Sequence, residues 1–120
     1  MTDELGDTLE VDVAEHDGCT VLTARGTIDY WTVRPLRTAV EEAVAAPRPR
    51  VVLDLAKVAF VDSTGLSLLV AADRWTREQG GWFRIAEPAD QLRRLLSTTN
   101  LDRRLAVHGG VAEAIGSGAE

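Results

Sequence analysis

The sequence has 120 residues, of which 45% are hydrophobic and 27% are charged, and these values suit one globular domain. The formal net charge of -6 and the scattered Lys and Arg residues argue against a nucleic-acid-binding protein, because phosphate backbones are bound by clustered basic side chains. The acidic N-terminus, MTDELGDTLE, lacks the basic and apolar regions of a signal peptide, and no apolar run is long enough to span a membrane. We therefore expect a cytoplasmic protein that forms a single domain over residues 1–120, with flexible segments at 1–7 and 116–120.

Two strands are predicted first. Residues 8–17 alternate apolar and polar side chains, which is typical of a half-buried strand. The inward side chains of this strand are Leu9, Val11 and Val13. The dipeptide Asp17-Gly18 is a turn signal, so residues 19–26 should return as the second strand of a hairpin. Gly26 is predicted to end that strand.

A helix is predicted in residues 29–46. Its apolar face carries Val33, Leu36, Val40 and Val44. Pro35 is compatible with a helix only in the first turn, where its missing N–H would have no partner in any case. We expect Thr32 or Asp29 to cap the N-terminus of this helix, since both side chains can accept a hydrogen bond from a free backbone N–H.

Strands and helices alternate in the rest of the chain. The apolar run 51–55, VVLDL, predicts a central strand covered on both faces, and residues 58–62 either end it or continue it. The later elements are a helix at 63–78 closed by Gly80-Gly81, a strand at 82–86, a helix at 90–99 opened by Glu87-Pro88, a strand at 105–109 and a helix from 111. The inward side chains of the two long helices are Leu66, Leu69, Val70 and Trp75, then Leu92, Leu95 and Leu96. Asn100 should adopt a left-handed conformation after the second of them.

The element order ββαβαβαβα predicts the fold class. Alternating helices and strands require crossover connections, and these give an α/β fold with a mainly parallel sheet. An N-terminal hairpin opens the sheet and helices flank it. Binding sites in such sheets gather at the C-terminal ends of the strands.

Four small or polar residues stand where the central strand becomes a helix: Asp62, Ser63, Thr64 and Gly65. In the simplest interpretation they start the helix. Asp62 caps it, the two hydroxyls satisfy free N–H groups, and Gly65 allows the helix to approach the strand closely. This interpretation does not explain why two hydroxyls and a carboxylate occur together at an exposed junction.

The sequence offers little support for catalysis at this junction. A catalytic serine needs a base, but His16 and His108 lie outside any recognisable triad, and the motif G-x-S-x-G is missing. No phosphate-binding glycine motif occurs, and Asp62 lacks the acidic cluster that a phosphoacceptor uses to hold Mg²⁺. We expect no catalytic residue and no metal site. The single cysteine, Cys19, is expected to be a buried structural thiol.

The remaining interpretation is a serine switch. A phosphate on Ser63 would lie where backbone N–H groups and the helix dipole favour an anion. It would add about 1.5 to 2 negative charges to an exposed surface without disrupting the domain. Such a group can change the binding of a partner.

The segment VVLDLAKVAFVDSTGLSLL resembles the signature of the STAS domain, in the branch of the bacterial anti-sigma-factor antagonists. The segment RGTIDYWTVRPLRTAV is similar to the G-E-[LI]-D motif of that family and the helix after it. QLRRLLSTTNLDRRLAV and VAEAI are similar to its third helix, last strand and closing helix. The resemblance therefore spans nearly the whole chain.

The resemblance implies a protein that binds a kinase-type anti-sigma factor and so releases a sigma factor. It implies that Ser63 is phosphorylated by the anti-sigma factor, which switches the antagonist off, and that a serine phosphatase restores it. No cofactor is expected, because the ATP belongs to the kinase. Three residues depart from the usual pattern: Thr27 replaces a Glu, Ser67 a Gly and Asn100 a Gly.

We expect the partner to bind at the ends of two neighbouring strands. The residues concerned are Asp29, Tyr30, Trp31, Thr32, Asp62, Ser63, Thr64 and Gly65. Exposed aromatic side chains are frequent anchors of interfaces, although Trp31 could instead fold over the first helix as part of the core. Two other functions stay open: a STAS scaffold or regulatory subunit that is not phosphorylated, and an enzyme or small-ligand-binding domain.

Overall fold

The computed structural model describes residues 8–116. The expectations for residues 1–7 and 117–120 lie outside this part of the chain. Within it, the elements are β1 Leu9–His16, β2 Cys19–Ile28, α1 Arg34–Val44, β3 Arg50–Val61, α2 Ser63–Glu78, β4 Trp82–Ala86, α3 Asp90–Thr98, a 3₁₀ helix Leu101–Arg103, β5 Ala106–His108 and α4 Val111–Gly116. The predicted order ββαβαβαβα is confirmed.

The strands form one sheet in the order β1-β2-β3-β4-β5. β1 and β2 are antiparallel, with Leu9 opposite Gly26 and His16 opposite Cys19. The other neighbouring pairs, β2 with β3, β3 with β4 and β4 with β5, are parallel. The mainly parallel sheet with an N-terminal hairpin is therefore confirmed.

Helices cover both faces of the sheet, but unequally. Side chains of α1, α2 and α3 form the main core with one face, through residues that include Leu36, Leu69 and Leu92. Only α4 packs on the other face among the described residues, where Ala114 lies against Val52. Alternate side chains of β3 thus enter different cores, which confirms the prediction of a central strand covered on both faces.

Two predicted backbone positions are confirmed. Asp17 and Gly18 both have positive φ, 54° and 80°, which is the conformation that a two-residue hairpin turn requires. Asn100 has φ 62° and lies in the left-handed region after α3. Cys19 is buried at the start of β2, and burial raises the pKa of its thiol, as expected for a structural cysteine.

Gly26 does not end the second strand, and that prediction is wrong. β2 continues to Ile28 because residues 58–61 are not a separate element but the end of β3, and they offer it a parallel partner. The pairing shifts register between Gly26 and Thr27. The φ of Gly26 is 124°, and a side chain there would collide with the backbone of Thr8, so glycine is required at the irregularity.

The first helix is shorter than predicted. α1 begins at Arg34 and is preceded by Val33, which makes no side-chain capping bond. Neither Asp29 nor Thr32 caps it, so that expectation is wrong; their side chains close the preceding turn instead. Pro35 does lie in the first turn of α1, as predicted.

Three smaller expectations also need correction. Val13 is 57% exposed, because the far end of the edge strand β1 extends beyond the helical layer. α3 begins at Asp90 after Ala89, so Glu87-Pro88 form the loop before it and do not open the helix. The predicted inward side chains of α2 all pack on the core, with Val70 and Trp75 partly buried, but the prediction omitted the buried Leu68 and Ala72.

Candidate functional site

The site is built on the junction between β3 and α2. Asp62 has extended backbone angles, φ −93° and ψ −171°, and its Oδ1 accepts a hydrogen bond of 3.0 Å from the N–H of Gly65. This bond satisfies one of the N–H groups that the first turn of a helix leaves free. The predicted capping role of Asp62 is therefore confirmed.

Asp62 also joins the junction to the loop after β2. Its Oδ2 accepts a hydrogen bond of 3.2 Å from the N–H of Tyr30, and its own N–H donates to the carbonyl oxygen of Ile28 at 3.0 Å. Both oxygens of the carboxylate are thus engaged by the backbone. The β2–α1 loop and the start of α2 consequently form one connected surface at the C-terminal edge of the sheet.

Gly65 allows α2 to approach the sheet closely. A side chain at this position would place its Cβ 2.7 Å from Ile28 Cγ2 and 2.7 Å from Val61 Cγ1. Real Cβ atoms do not approach other atoms so closely, so the strand ends leave room for glycine alone. The expected close packing is confirmed.

The hydroxyls of Ser63 and Thr64 do not cap the helix. Neither forms a hydrogen bond to any residue in 8–116, so the expectation that they satisfy free N–H groups is wrong. Ser63 is exposed and Thr64 is half-buried. The backbone N–H groups of these two residues also lack an acceptor within the described chain. Ser63 therefore presents a free hydroxyl beside two free backbone donors.

A compact turn holds the β2–α1 loop. Asp29 Oδ1 accepts hydrogen bonds from the N–H groups of Trp31 at 2.9 Å and Thr32 at 3.0 Å. Thr32 Oγ1 donates to the carbonyl oxygen of Thr27 at 2.6 Å and accepts from the N–H of Asp29 at 2.9 Å. Asp29 and Thr32 thus fix the loop by local bonds, which is the usual role of such side chains in turns.

This turn exposes two aromatic side chains. Tyr30 is 67% exposed and Trp31 is 85% exposed. Their rings meet edge to face, with 4.9 Å between the centroids. The alternative in which Trp31 folds over α1 as core is therefore wrong.

An open groove of about 680 Å³ runs from the aromatic pair along α1. It is lined by Tyr30, Trp31, Val33, Arg34, Arg37, Thr38 and Glu41. Phe60, which is 44% exposed, lies at the same edge because it pairs with Thr27 near the end of β2. The groove beside the aromatic pair thus combines apolar rings with two arginines.

The sequence reasoning missed Gln91, which supports the junction from α3. Its Oε1 accepts from the N–H of Val61 at 3.0 Å, and its Nε2 donates to the carbonyl oxygen of Val61 at 2.9 Å. β4 pairs with β3 only as far as Asp54, so the side chain of Gln91 takes the place of a neighbouring strand. Nothing in the local sequence marks this glutamine, because its partner is thirty residues away.

Neither a histidine partner nor a metal-binding cluster accompanies Ser63 within the described residues. The hydroxyl of Ser63 has no hydrogen bond to His16 or His108. His108 Nε2 is buried without a partner within residues 8–116. No group of His, Cys, Asp and Glu side chains suited to a metal ion occurs in this part of the chain. No described helix is long and apolar enough to cross a membrane.

Comparisons with known proteins agree with this geometry. A family model described as the STAS domain matches residues 10–114. The anti-sigma-F factor antagonist RsfB of Mycobacterium tuberculosis (strain ATCC 25618 / H37Rv) is 32% identical over 112 residues, which cover 91% of this chain and 88% of that protein. The match therefore spans nearly the full length of both.

Solved structures share the fold. The crystal structure of an anti-sigma factor antagonist from Mycobacterium paratuberculosis is 30% identical with a TM-score of 0.81, covering 89% of this chain and 91% of that one. The Bacillus cell fate determinant SpoIIAA in the phosphorylated form is 18% identical with a TM-score of 0.70, covering 88% and 96%. The chain therefore belongs to the STAS domain family, in the branch of the anti-sigma-factor antagonists.

Proposed function

We propose that this chain binds a kinase-type anti-sigma factor in the cytoplasm and thereby releases a sigma factor. Phosphorylation of Ser63 by the anti-sigma factor ends the binding, and a serine phosphatase restores it. The observation that carries the proposal is the free, exposed hydroxyl of Ser63 on a rigid junction beside two exposed aromatic rings. The chain acts by binding and contributes no catalytic residue.

The docking edge is the surface that we assign to the anti-sigma factor. It consists of Asp29, Tyr30, Trp31, Thr32, Asp62, Ser63, Thr64 and Gly65. Tyr30 and Trp31 offer large, rigid contact area to a partner, and buried aromatic side chains dominate the binding energy of many interfaces. Both oxygens of Asp62 and Oδ1 of Asp29 accept hydrogen bonds from backbone N–H groups, so these carboxylates hold the shape of the edge.

A phosphate at the start of α2 should destabilise the folded domain only slightly. The N–H groups of Ser63 and Thr64 have no acceptor within residues 8–116, and the helix dipole favours an anion at this end. No side chain of the core has to move, because Ser63 is exposed. We expect the phosphorylated domain to keep its fold and its melting temperature.

The effect on binding is local. The chain already has a formal net charge of -6, and long-range repulsion is screened within roughly 8 Å at physiological salt. A phosphate at the centre of the docking edge would be desolvated by the partner next to the carboxylate of Asp62. Burying such an anion without a counter-charge costs several kcal/mol, roughly two or more orders of magnitude in affinity.

The decisive experiment compares phosphorylated and unmodified protein by calorimetric titration with the anti-sigma factor at low and high salt. We expect a sharp loss of affinity at both salt concentrations and equal melting temperatures. Full recovery of binding at high salt would indicate long-range repulsion, and a large fall in the melting temperature would indicate an unfolding switch. Either result rejects the mechanism.

Variants at Ser63 test the assignment of the phosphate. Ser63→Ala should bind the anti-sigma factor but accept no phosphate, and Ser63→Asp should bind more weakly because it imitates part of the added charge. Thr64→Ala is the matched control and should still be phosphorylated. A phosphate found on the Ser63→Ala variant would refute the assignment.

A STAS scaffold that is never phosphorylated is the alternative outcome. Affinity capture from the native cell followed by intact-mass analysis separates the two functions. A captured kinase-like protein together with a phosphate mass shift supports the switch. Capture of a stable complex in which Ser63 is always unmodified supports the scaffold. Thr27, which replaces the usual Glu near the docking edge, bears on the choice of partner in both cases.

A further inference from the structure

Three arginines meet at the opposite end of α2 from Ser63. Arg77 lies in the last turn of α2, and Arg103 and Arg104 lie in the turn before β5. These three residues form the arginine cluster. At 1.5 Å of rise per residue, the helix places Arg77 about 20 Å from Ser63, so the cluster is separate from the docking edge.

A buried carboxylate orients two members of the cluster. The side chain of Asp73 is only 2% exposed, yet it accepts hydrogen bonds from Arg77 Nε at 3.0 Å and pairs with Arg104 Nε at 3.5 Å. Both guanidinium groups are held through Nε, while their side chains are 62% and 54% exposed. Nη1 of Arg77 and both Nη atoms of Arg104 form no bond to residues 8–116 and are open to solvent. Arg77 Nη2 is also held, by the carbonyl oxygen of Arg104 at 3.5 Å.

The third arginine is not paired with a carboxylate. Arg103 is exposed and forms no ion pair with any residue in 8–116. Its chain neighbour Asp102 is also exposed and forms no ion pair with it. Asp73 offsets part of the repulsion between Arg77 and Arg104, so Arg103 is the member of the cluster that has no anion paired with it within the described residues.

The cluster lines an open cavity of about 410 Å³ whose lining residues are Arg77, Arg103 and Arg104. A second cavity of about 240 Å³ shares Arg77 with it and is also lined by Asp73 and by the half-buried Trp82. The guanidinium of Arg84 covers one face of the Trp82 ring at 3.6 Å from its centroid, so a ligand would meet the other face or the edge of the ring. Guanidinium groups donate paired N–H bonds in a geometry that matches phosphate oxygens. We propose that the arginine cluster binds a phosphate group, carried either by free phosphate or by a small phosphate ester whose organic part lies against Trp82.

The test is a titration of the full chain followed by NMR at constant ionic strength. The probes are inorganic phosphate, glycerol 3-phosphate as a phosphate ester, and acetate as a monovalent anion. We expect saturable shifts of the side-chain N–H signals of all three arginines with either phosphate probe and none with acetate. Tighter binding of glycerol 3-phosphate assigns the site to an ester, and equal or weaker binding assigns it to free phosphate.

Arg103→Gln removes the unpaired guanidinium without touching Asp73. We expect it to weaken phosphate binding about fivefold, the loss of one exposed charge-assisted contact, with an unchanged melting temperature. Arg94→Gln, which removes an exposed arginine of α3, is the matched control and should bind phosphate as the original chain does. Shifts that do not saturate, an equal response to acetate, or equal affinities of the two variants would overturn the proposal.

Discussion

The two ends of helix α2 each hold a carboxylate, but different donors surround it. At the first end, Asp62 accepts from the backbone N–H groups of Tyr30 and Gly65. Those bonds fix the main chain and leave the neighbouring side chains free to face outward. The result is a rigid edge whose exposed groups are a hydroxyl and two aromatic rings.

Near the other end, Asp73 is bound by side chains instead. Arg77 Nε donates a hydrogen bond to it, and the guanidinium of Arg104 forms an ion pair with it at 3.5 Å. Those contacts hold the two guanidinium groups in place, and the surface that they form is the positively charged arginine cluster. A carboxylate bound to backbone N–H groups therefore shapes a surface, whereas a carboxylate bound to arginines positions charge on it.

The largest effect is expected from the double variant Arg77→Leu with Arg104→Leu. It leaves the buried carboxylate of Asp73 without a counter-charge, which should cost about 3 kcal/mol of unfolding free energy at neutral pH. Denaturant unfolding measures the change. Arg103→Gln is the control and should change stability by less than about 0.5 kcal/mol. A double variant as stable as this control would show that Asp73 does not depend on the arginines.

The contribution of the aromatic pair at the docking edge is tested by measuring the affinity for the anti-sigma factor. Tyr30→Ala with Trp31→Ala should weaken binding to the anti-sigma factor about 100-fold, since exposed aromatic anchors carry much of the energy of an interface. The melting temperature should not change, because both rings are mostly exposed. Val13→Ala removes an exposed apolar side chain outside the docking edge and is the control for calorimetric titration. Unchanged affinity of the double variant would remove the rings from the interface.

The two hydrogen bonds of the Asp62 carboxylate can be tested separately. Asp62→Ala loses the cap of α2 and the acceptor for Tyr30, and should cost about 2 kcal/mol of unfolding free energy. Asp62→Asn keeps one oxygen for Gly65 and should cost about half as much. Asp90→Ala is the control, because the side chain of Asp90 caps nothing in α3. Thermal and denaturant unfolding measure all three, and equal losses for Ala and Asn would assign the whole effect to the Tyr30 bond.

Gln91 tests whether α3 holds the junction in place. Gln91→Met keeps the size of the side chain but leaves the N–H and the carbonyl oxygen of Val61 unpaired, at a cost of about 1.5 kcal/mol. Hydrogen exchange of the Val61 amide should accelerate as well. Gln79→Met, at an exposed position after α2, should affect neither quantity. An unchanged exchange rate at Val61 would mean that water replaces the glutamine without loss.

The smallest effect is expected from Ser63→Ala. The hydroxyl makes no bond to residues 8–116, so its removal should change the unfolding free energy by less than about 0.5 kcal/mol. Denaturant unfolding of Ser63→Ala is compared with that of Asp62→Ala. The comparison separates Asp62, whose hydrogen bonds hold the docking edge together, from Ser63, which is only exposed on it. A loss comparable to that of Asp62→Ala would make Ser63 a structural residue.

Local pattern predicted the element order and the cap at the start of α2. These predictions rest on residues that are close in sequence, namely the alternation in β1, the apolar run in β3 and the polar junction after it. The confirmed cap is also local, because Asp62 and Gly65 lie within one turn of helix. The sequence resemblance added the family, because the D-S-T-G-L segment occurs in the expected order of elements. The predictions were wrong where a segment distant in sequence changes the local structure. For example, β2 extends past Gly26 because β3 pairs with it.

Short-range features of the sequence therefore specify the α/β fold, the strand-to-helix junction and its exposed serine, since periodicity and capping depend on neighbouring residues. Long-range contacts settled the rest. The exposure of Trp31 depends on the turn closed by Asp29 and Thr32, and the support of Val61 depends on Gln91 in α3. The meeting of Arg77 with Arg104 depends on packing of α2 beside the turn before β5. Each of these is a property of how the elements pack against one another, because the residues involved come together only when the chain is folded.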